Sequence, residues 1–461
     1  MPGPATMTPN VENAPPERFD LRTGTLIIGA GACGLVAALS ASESGQNLLV
    51  IEADPVPSGS TALSAGLIPA AGTKIQQAAG ITDDAARFAR DIQTKAYNEN
   101  EQALVELLTN NAAEVIDWLC ERHALPFSIV TDFDYPGHSR RRMHGLPSRS
   151  GGELIDALRS ACEREDLDII CNRRAITLYR DQDQILGVAV AGPDANVETI
   201  ACDRLILACN GFGGNRALVA EHMPQIERAL WFGHSGNRGE AVLWGEALGA
   251  GLRNLSAYQG HGNVAHPHGI LITWAVITEG GVQVNRNGHR FWNESQGYSE
   301  AARAVLAQPD GEAFAIFDGR IATIAGQFED FRRAETSGAI KSSETIEELA
   351  KALALPPAAL EQTIREIPVN GTDQFGRFFN KTPLTPPYKG VRVTGALFHT
   401  QGGLRVDSSA RVLKADGTAF TNLYAGGGAA TGISGRGDSG YLSGNGLLSA
   451  VVLGRIAGRN T

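Results

Sequence analysis

The chain has 461 residues, 43% hydrophobic and 20% charged, which is enough apolar material for a large core and enough length for about two or three domains. A net charge of −10 argues against a general binder of nucleic acid or of anionic membrane. The six cysteines, Cys33, Cys120, Cys162, Cys171, Cys202 and Cys209, form no C-x-x-C pair. That excludes the common zinc and c-type haem spacings, so no metal site is expected, and scattered thiols suit a reducing, cytoplasmic compartment.

Residues 1–20 are rich in Pro, Asn and small residues, without a charged start and apolar run, and read as a disordered tail rather than a secretory signal. The longest apolar run, over 26–39, is interrupted by three glycines and is too short to cross a bilayer, so no integral membrane segment is expected. Residues 25–28 read as a buried strand. Gly29-Ala30-Gly31-Ala32-Cys33-Gly34 follows and runs directly into an apolar helix at 35–39. A second strand, 47–51, ends at Glu52 and Ala53. A bare G-x-G-x-x-G is weak evidence. Here it has a strand before it, a helix after it, and an acid about 20 residues on. The glycines let the backbone approach a pyrophosphate at a helix N-terminus, and Glu52 is placed to accept from an adenosine ribose.

NAD and FAD share that fingerprint. The next segment, Ser58-Gly59-Ser60-Thr61-Ala62-Leu63-Ser64-Ala65-Gly66, is a second small-residue loop that leaves room for a flat ring, and it favours FAD, held non-covalently. Residues 203–209 read as a strand returning to the nucleotide domain, ending at Asn210-Gly211. Near the C-terminus a strand runs into Gly426-Gly427-Gly428. Further on, Gly444-Asn445-Gly446 feeds a helix starting at Leu447, a second glycine turn at a helix N-terminus.

Taken together, these segments resemble the fumarate reductase/succinate dehydrogenase flavoprotein superfamily, which also holds the 3-ketosteroid dehydrogenases. The resemblance covers almost the whole chain after Asp20. It rests on the fingerprint, the S-G-S-T-x-x-S-A-G loop, and Leu207 to Asn215 (L-A-x-x-G-F-G-x-N). It continues through Val284 to Glu294 (V-N-x-x-G-x-R-F-x-N-E), Asp373 to Arg377, and His399-Thr400-Gln401-Gly402-Gly403. It implies an α/β fold: a Rossmann-like FAD-binding domain from 21–226 and 368–461, with an inserted α+β capping domain over 227–367.

The resemblance also bears on the reaction. Fumarate reductases place a proton-donating arginine four residues past the N-E glutamate, where this chain has Tyr298. They place a second, carboxylate-gripping arginine before the last glycine turn, where this chain has Tyr441. Arginine pairs recognise carboxylates bidentately, whereas phenols offer neutral hydrogen bonds and acid–base chemistry. The pattern is similar to that of the ketosteroid dehydrogenases, with the Y-x-S element at Tyr441 and Ser443. It implies a small-molecule cyclic ketone as substrate, desaturated with Tyr441 on the carbonyl oxygen, Ser443 in support and Tyr298 as base, with electrons passing to an unidentified acceptor. Tyr135, in Asp134-Tyr135-Pro136, is a third candidate phenol, equally readable as a loop residue packed on the surface.

His399 and His261 sit where fumarate reductases hold substrate-binding histidines, which leaves a small keto acid open as substrate. An alternative is a fumarate-reductase-like ene reductase of an unsaturated acid, its clamp supplied by Arg436 or the histidines. A third reading is a non-catalytic flavoprotein scaffold, which the density of flavin loops and the two tyrosines disfavour.

Overall fold

The computed structural model describes residues 9–131, 135–194 and 196–460. These divide into two compact units. The larger comprises Met1–Met223, Gly233–Tyr258 and His399–Thr461; the smaller comprises Pro224–Phe232 and Gln259–Phe398.

The larger unit is built on a parallel sheet. Strand Leu21–Ile28 lies between Leu48–Ile51 and Val197–Leu207, parallel to both, and Ile169–Ile170 extends the sheet beyond Leu48–Ile51. Residues 25–28 form an unbroken apolar stretch with a threonine at its head because both faces of a parallel sheet are covered. Besides Leu21–Ile28, the long strand Val197–Leu207 serves two further neighbours. Its first half pairs antiparallel with Gln184–Ala191, and its end pairs parallel with Ala419–Ala425, which brings the chain's C-terminal segment into the N-terminal sheet. Helix Ala32–Ser42 is buried along nearly its whole length, as its lack of a polar face requires.

Residues Asn10–Glu12, expected within a disordered tail, form an edge strand parallel to Arg174–Asp181. Backbone pairing needs no long apolar run. Val11 packs on the core, and Asp20 is held by its own N–H and its carboxylate to Thr199. The rest of the expected tail, 1–8, lies outside the described residues.

The smaller unit has a mixed sheet centred on strands Glu312–Asp318 and Tyr388–Thr400, which pair antiparallel over seven residues. That pairing explains why 368–398, grouped by sequence with the nucleotide-binding part, belongs to this unit: Tyr388–Thr400 also pairs with Leu230–Trp231 and Lys341–Ser343. No helix among the described residues is long and apolar enough to cross a membrane.

A buried ion network fixes the N-E motif inside the smaller unit. The Glu294 carboxylate accepts from Gln283 N–H at 3.0 Å, from Arg290 and from Arg377 (3.1 Å), and Arg290 also pairs with Asp373. The Phe379 ring lies under the Arg377 guanidinium at 4.3 Å. Removing one partner of such a buried network leaves charges uncompensated. Glu294→Ala is therefore expected to cost about 3 kcal/mol or more. The check is urea unfolding followed by the fluorescence of Trp274 and Trp292. A loss under about 1 kcal/mol, the range of exposed pairs, would mean the network is screened by solvent.

Candidate functional site

In the larger unit, the strand Leu21–Ile28 turns at Gly29, whose φ of +105° and closeness to the Ala208 carbonyl exclude a side chain. Helix Ala32–Ser42 begins two residues after Ala30, and its N-cap, Gly31, has no side-chain cap. A cleft of about 120 Å³ opens over this turn. Of the residues expected to bind cofactor, Gly29, Gly31, Ala32, Cys33, Glu52, Ala53, Gly59, Ser60, Thr61, Asn210 and Gly427 line it. The Glu52 carboxylate accepts the N–H of Ala30 at 2.7 Å and of Asp54 at 2.9 Å. Each carboxylate oxygen accepts two bonds, so capacity for ribose hydroxyls remains. The S-G-S-T loop forms the short helix Gly59–Ala62. Thr61 Oγ1 accepts from Ala32 N–H, and Ser60 Oγ accepts from the amides of Asn210 and Asn237.

The remaining expected residues shape the cleft without lining it. A Cβ on Gly34 would sit 1.8 Å from the Gly29 carbonyl oxygen, so this glycine serves helix-to-turn packing. Gly211 and Gly426 are packed in the same way, against Thr400 Oγ1 and Cys33 Sγ. Ser58 holds the N-cap position of the loop helix without a side-chain cap bond, and Ser64 Oγ donates to the Thr61 carbonyl and accepts from Gly66 N–H. Ala65 is exposed.

Sequence reasoning missed Asp54, Arg173, Arg174, His234, Asn237, Glu240 and Trp244, all on the cleft wall. His234 Nε2 lies 2.8 Å from Asp54 Oδ2, and its Nδ1 accepts from Gly236 N–H, so Nε2 carries the proton. The G-x-x-G-x-A run from Gly236 to Ala241 was the available signal. Among the described residues Trp244 Nε1 and Glu240 Oε2 of the wall are buried without a hydrogen-bond partner, as are Asp54 Oδ2, which has only its contact to His234, and both amide atoms of Asn445 and Ser449 Oγ on the C-terminal helix. Buried polar atoms seldom lack partners, and a bound dinucleotide with its polar ring edge would supply them.

Gly444, Asn445, Gly446 and Leu447 start helix Asn445–Arg459, outside the cleft lining. Tyr441 precedes this turn and is buried. Burial pushes its pKa up to about 12, against the opposing effect of the Gly446 and Gly444 backbone. The rings of His399 and Tyr441 meet edge to face at 5.3 Å. Gly446 permits this convergence: a Cβ there would lie 3.2 Å from His399 Nε2 and 3.9 Å from the Tyr441 hydroxyl. His399 Nδ1 lies 3.1 Å from Gln401 Nε2, and burial lowers its pKa to about 4. Ser443 is half-buried, and its carbonyl lies 3.0 Å from His138 Nε2. Tyr135 packs on Leu67, Val130 and Met143 in the same loop as His138; Asp134 lies outside the described residues. Arg436 is exposed.

In the smaller unit, Tyr298 opens helix Tyr298–Leu306 after Gly297, whose φ is +131°. Its ring lies 5.1 Å from His261, nearly parallel. Phe398 stacks near His261 at 5.5 Å, and Trp274 meets it edge-on at 5.8 Å. His261 Nδ1 accepts from Asn263 N–H at 3.2 Å, so Nε2 carries the proton, and burial lowers its pKa to about 3. Both expected histidines are thus neutral at neutral pH; His261 is a donor at Nε2, and His399 Nδ1 also lies 3.3 Å from the Thr400 carbonyl oxygen.

A family described as an FAD binding domain matches residues 24–447. Over 448 residues the chain is 31% identical to a probable fumarate reductase of Shewanella frigidimarina, Ifc3, covering 95% of this chain and 74% of the relative. Among solved structures, the open conformation of a flavocytochrome c3 fumarate reductase aligns with a TM-score of 0.82 at 29% identity, over 96% of this chain and 78% of that one. A 3-ketosteroid-Δ4-(5α)-dehydrogenase of Rhodococcus jostii RHA1 shares the fold, with a TM-score of 0.79 at 22% identity over 98% and 99% of the two chains. The α/β fold is that of the FAD-binding flavoproteins, and FAD is the cofactor that the cleft fits. The chain belongs to the FAD-binding domain family, in the company of the fumarate reductases, and is an FAD-dependent oxidoreductase.

Proposed function

We propose that the protein is a ketone dehydrogenase that introduces an α,β double bond into a cyclic ketone, of 3-ketosteroid or smaller oxocyclohexane type. One observation carries this reading. The buried group before the last glycine turn is a phenol, Tyr441, neutral at working pH, where a carboxylate grip would need a cation. Such a group donates one hydrogen bond to a carbonyl oxygen and offers no charge to a carboxylate.

FAD would be held by the Gly29–Gly34 turn, Glu52, the Ser58–Gly66 loop and the Gly444–Gly446 turn. When bound, it accepts a hydride, here the β-hydrogen with its electron pair. Tyr441 holds the ketone oxygen and stabilises the negative charge that develops there as the α-proton leaves. Ser443 supports that turn. Tyr298, as its phenolate, takes the α-proton and becomes the phenol, its ring set by stacking on His261. His261 and His399 offer Nε2–H or a lone pair to a neutral substrate, and Tyr135 belongs to the loop that braces the Tyr441 segment. The ketone loses one proton and one hydride, and the product is the enone.

The 31% identity to a fumarate reductase favours a second reading, reduction of an unsaturated carboxylic acid by the same fold. That reading needs a cation. Arg436 is exposed, and both histidines are held neutral, so a carboxylate would have to draw a proton onto one of them.

The two readings separate in an anaerobic cuvette. Oxidised protein mixed with saturated cyclic ketones is expected to bleach, and dithionite-reduced protein is expected to stay reduced with fumarate. The reverse pattern would establish the ene reductase. Tyr441→Phe is expected to lower kcat for the ketone by about a hundredfold or more while the protein stays yellow. Tyr298→Phe is expected to lower it by about a hundred- to ten-thousandfold. Unchanged turnover in both would remove the ketone reading.

The pH dependence separates them again. The pKa of about 3 for His261 and about 4 for His399 lie below the working range, so kcat/KM for a neutral ketone should show no histidine step between pH 5 and 8. A carboxylate bound through a histidinium would instead be held at low pH and lost as pH rises through the raised histidine pKa. KM would then climb with pH.

A further inference from the structure

Tyr441 and Leu442 lie in neither helix nor strand, yet the Tyr441 hydroxyl must sit still to act on a carbonyl. The chain secures Leu442 through its carbonyl, which accepts from Asn445 N–H at 3.1 Å. The next carbonyl, that of Ser443, is met by a side chain 305 residues away: His138 Nε2 at 3.0 Å. The other ring nitrogen, Nδ1, lies 3.4 Å from an Arg142 guanidinium nitrogen. A guanidinium only donates, so Nδ1 accepts and Nε2 bears the proton that the Ser443 carbonyl receives. The two contacts require the same tautomer.

Arg142 is itself immobile. Its side chain is fully buried, with Nε and one terminal nitrogen on the two oxygens of Asp83 at 2.9 and 3.1 Å, and the other terminal nitrogen on Asp91 at 2.5 Å. It lies over the Phe88 ring at 4.6 Å. Asp91 also accepts from the N–H and hydroxyl of Ser139, the residue after His138, at 2.8 Å each. Gly137 leaves the space that Leu442 fills, since a Cβ there would lie 2.6 Å from Leu442 Cδ1. A rigid ion-paired base therefore ends in one imidazole N–H aimed at the backbone two residues beyond Tyr441. Burial and the neighbouring Arg142 charge hold His138 neutral, as its acceptor role requires.

We propose that His138 is a positioning residue. Through its bond to the Ser443 carbonyl, it and Arg142 hold the Tyr441 hydroxyl in register with the substrate oxygen. The proposal rests on the reading of Tyr441 as the group that binds the ketone oxygen, and a double-mutant cycle on the holoenzyme separates the two. With a cyclic ketone that bleaches the wild type, His138→Leu is expected to lower kcat by about ten- to a hundredfold, the cost of slight misplacement, with KM changed by less than about threefold. His138→Gln, whose Nε2 reaches the same carbonyl, is expected to restore most of the rate. In a Tyr441→Phe background, His138→Leu is expected to cost less than about twofold, because the hydroxyl it positions is gone.

An equal loss in both backgrounds, with no recovery in His138→Gln, would mean a merely structural role and would overturn the proposal. A full rate in His138→Leu beside a crippled Tyr441→Phe would overturn it while leaving the ketone reading intact. A full rate in Tyr441→Phe would sink both. If His138→Leu fails to fold, His138→Asn, an amide too short to reach the Ser443 carbonyl, takes its place in the cycle.

Discussion

The contact between helices Ala32–Ser42 and Asn445–Arg459 constrains everything the larger unit does. A Cβ at Gly454 would lie 2.5 Å from the Cys33 carbonyl oxygen, and one at Gly458 would lie 2.3 Å from that of Ala37. At that spacing only glycine fits, and backbone packs on backbone. The ends of the contact are locked by polar groups: Ser40 Oγ donates to the Arg455 carbonyl, and the Arg455 guanidinium pairs with Glu43 over the Trp118 ring. Since Cys33 faces Gly454 and Ala37 faces Gly458, the helices run parallel. Ala32 is then level with Leu453, eight residues into the second helix. At 1.5 Å per residue the second helix starts about 12 Å beyond the first. Two glycine turns, each at a helix N-terminus, are thus staggered along one direction. A dinucleotide needs that arrangement, with its pyrophosphate on one turn and the polar edge of its ring on the other.

The stagger also decides what can stand at position 441. The Gly444 and Gly446 backbone lies beside the Tyr441 oxygen and offsets part of the rise in pKa that burial causes. A guanidinium has five donors and no acceptor, and it would stand in a buried site without a carboxylate to offset its desolvation. A phenol accepts as well as donates and needs no such offset. On the proposed reading, this turn is built around a neutral oxygen. The same economy of charge holds at His261 in the smaller unit, which is surrounded by Phe398, Trp274 and Tyr298 and lies well below the pKa at which it would bind a proton in water.

Which parts of this were legible in the sequence follows from how local each signal is. The fingerprint from Gly29 to Gly34, the acid Glu52 and the Ser58–Gly66 loop lie within 38 consecutive residues, each motif a turn chemistry that needs no knowledge of the rest of the chain. Each of the three contributes to the cleft lining. Asp54, Arg173, Arg174, His234, Glu240 and Trp244 reach the same wall from four separate stretches, and only the assembled sheet brings them together. The edge strand Asn10–Glu12 was invisible because three backbone-paired residues carry almost no pattern. The membership of 368–398 was set by the pairing of Tyr388–Thr400, a property of partners rather than of composition. His138 left no trace at all, since what it touches is a main-chain carbonyl, and a carbonyl looks the same in every residue.

That distinction bears on how likeness to a fumarate reductase should be weighed. The shared 31% spans the scaffold, and a scaffold of glycine turns, buried strands and helix contacts answers chiefly to the demands of holding FAD. The chemistry asked of the substrate depends on two or three side chains whose replacement scarcely alters overall identity. A fold that also aligns with a ketosteroid dehydrogenase at a TM-score of 0.79 accommodates either reaction, so identity over the whole length cannot choose between them. The choice falls to electrostatics at a few atoms. Carboxylate recognition requires a positive charge whose burial is offset by the substrate; carbonyl recognition requires a donor that stays neutral when buried. The proposed ketone reading asks for neutral groups, and Tyr441, His399 and His261 are buried where a charge would be costly.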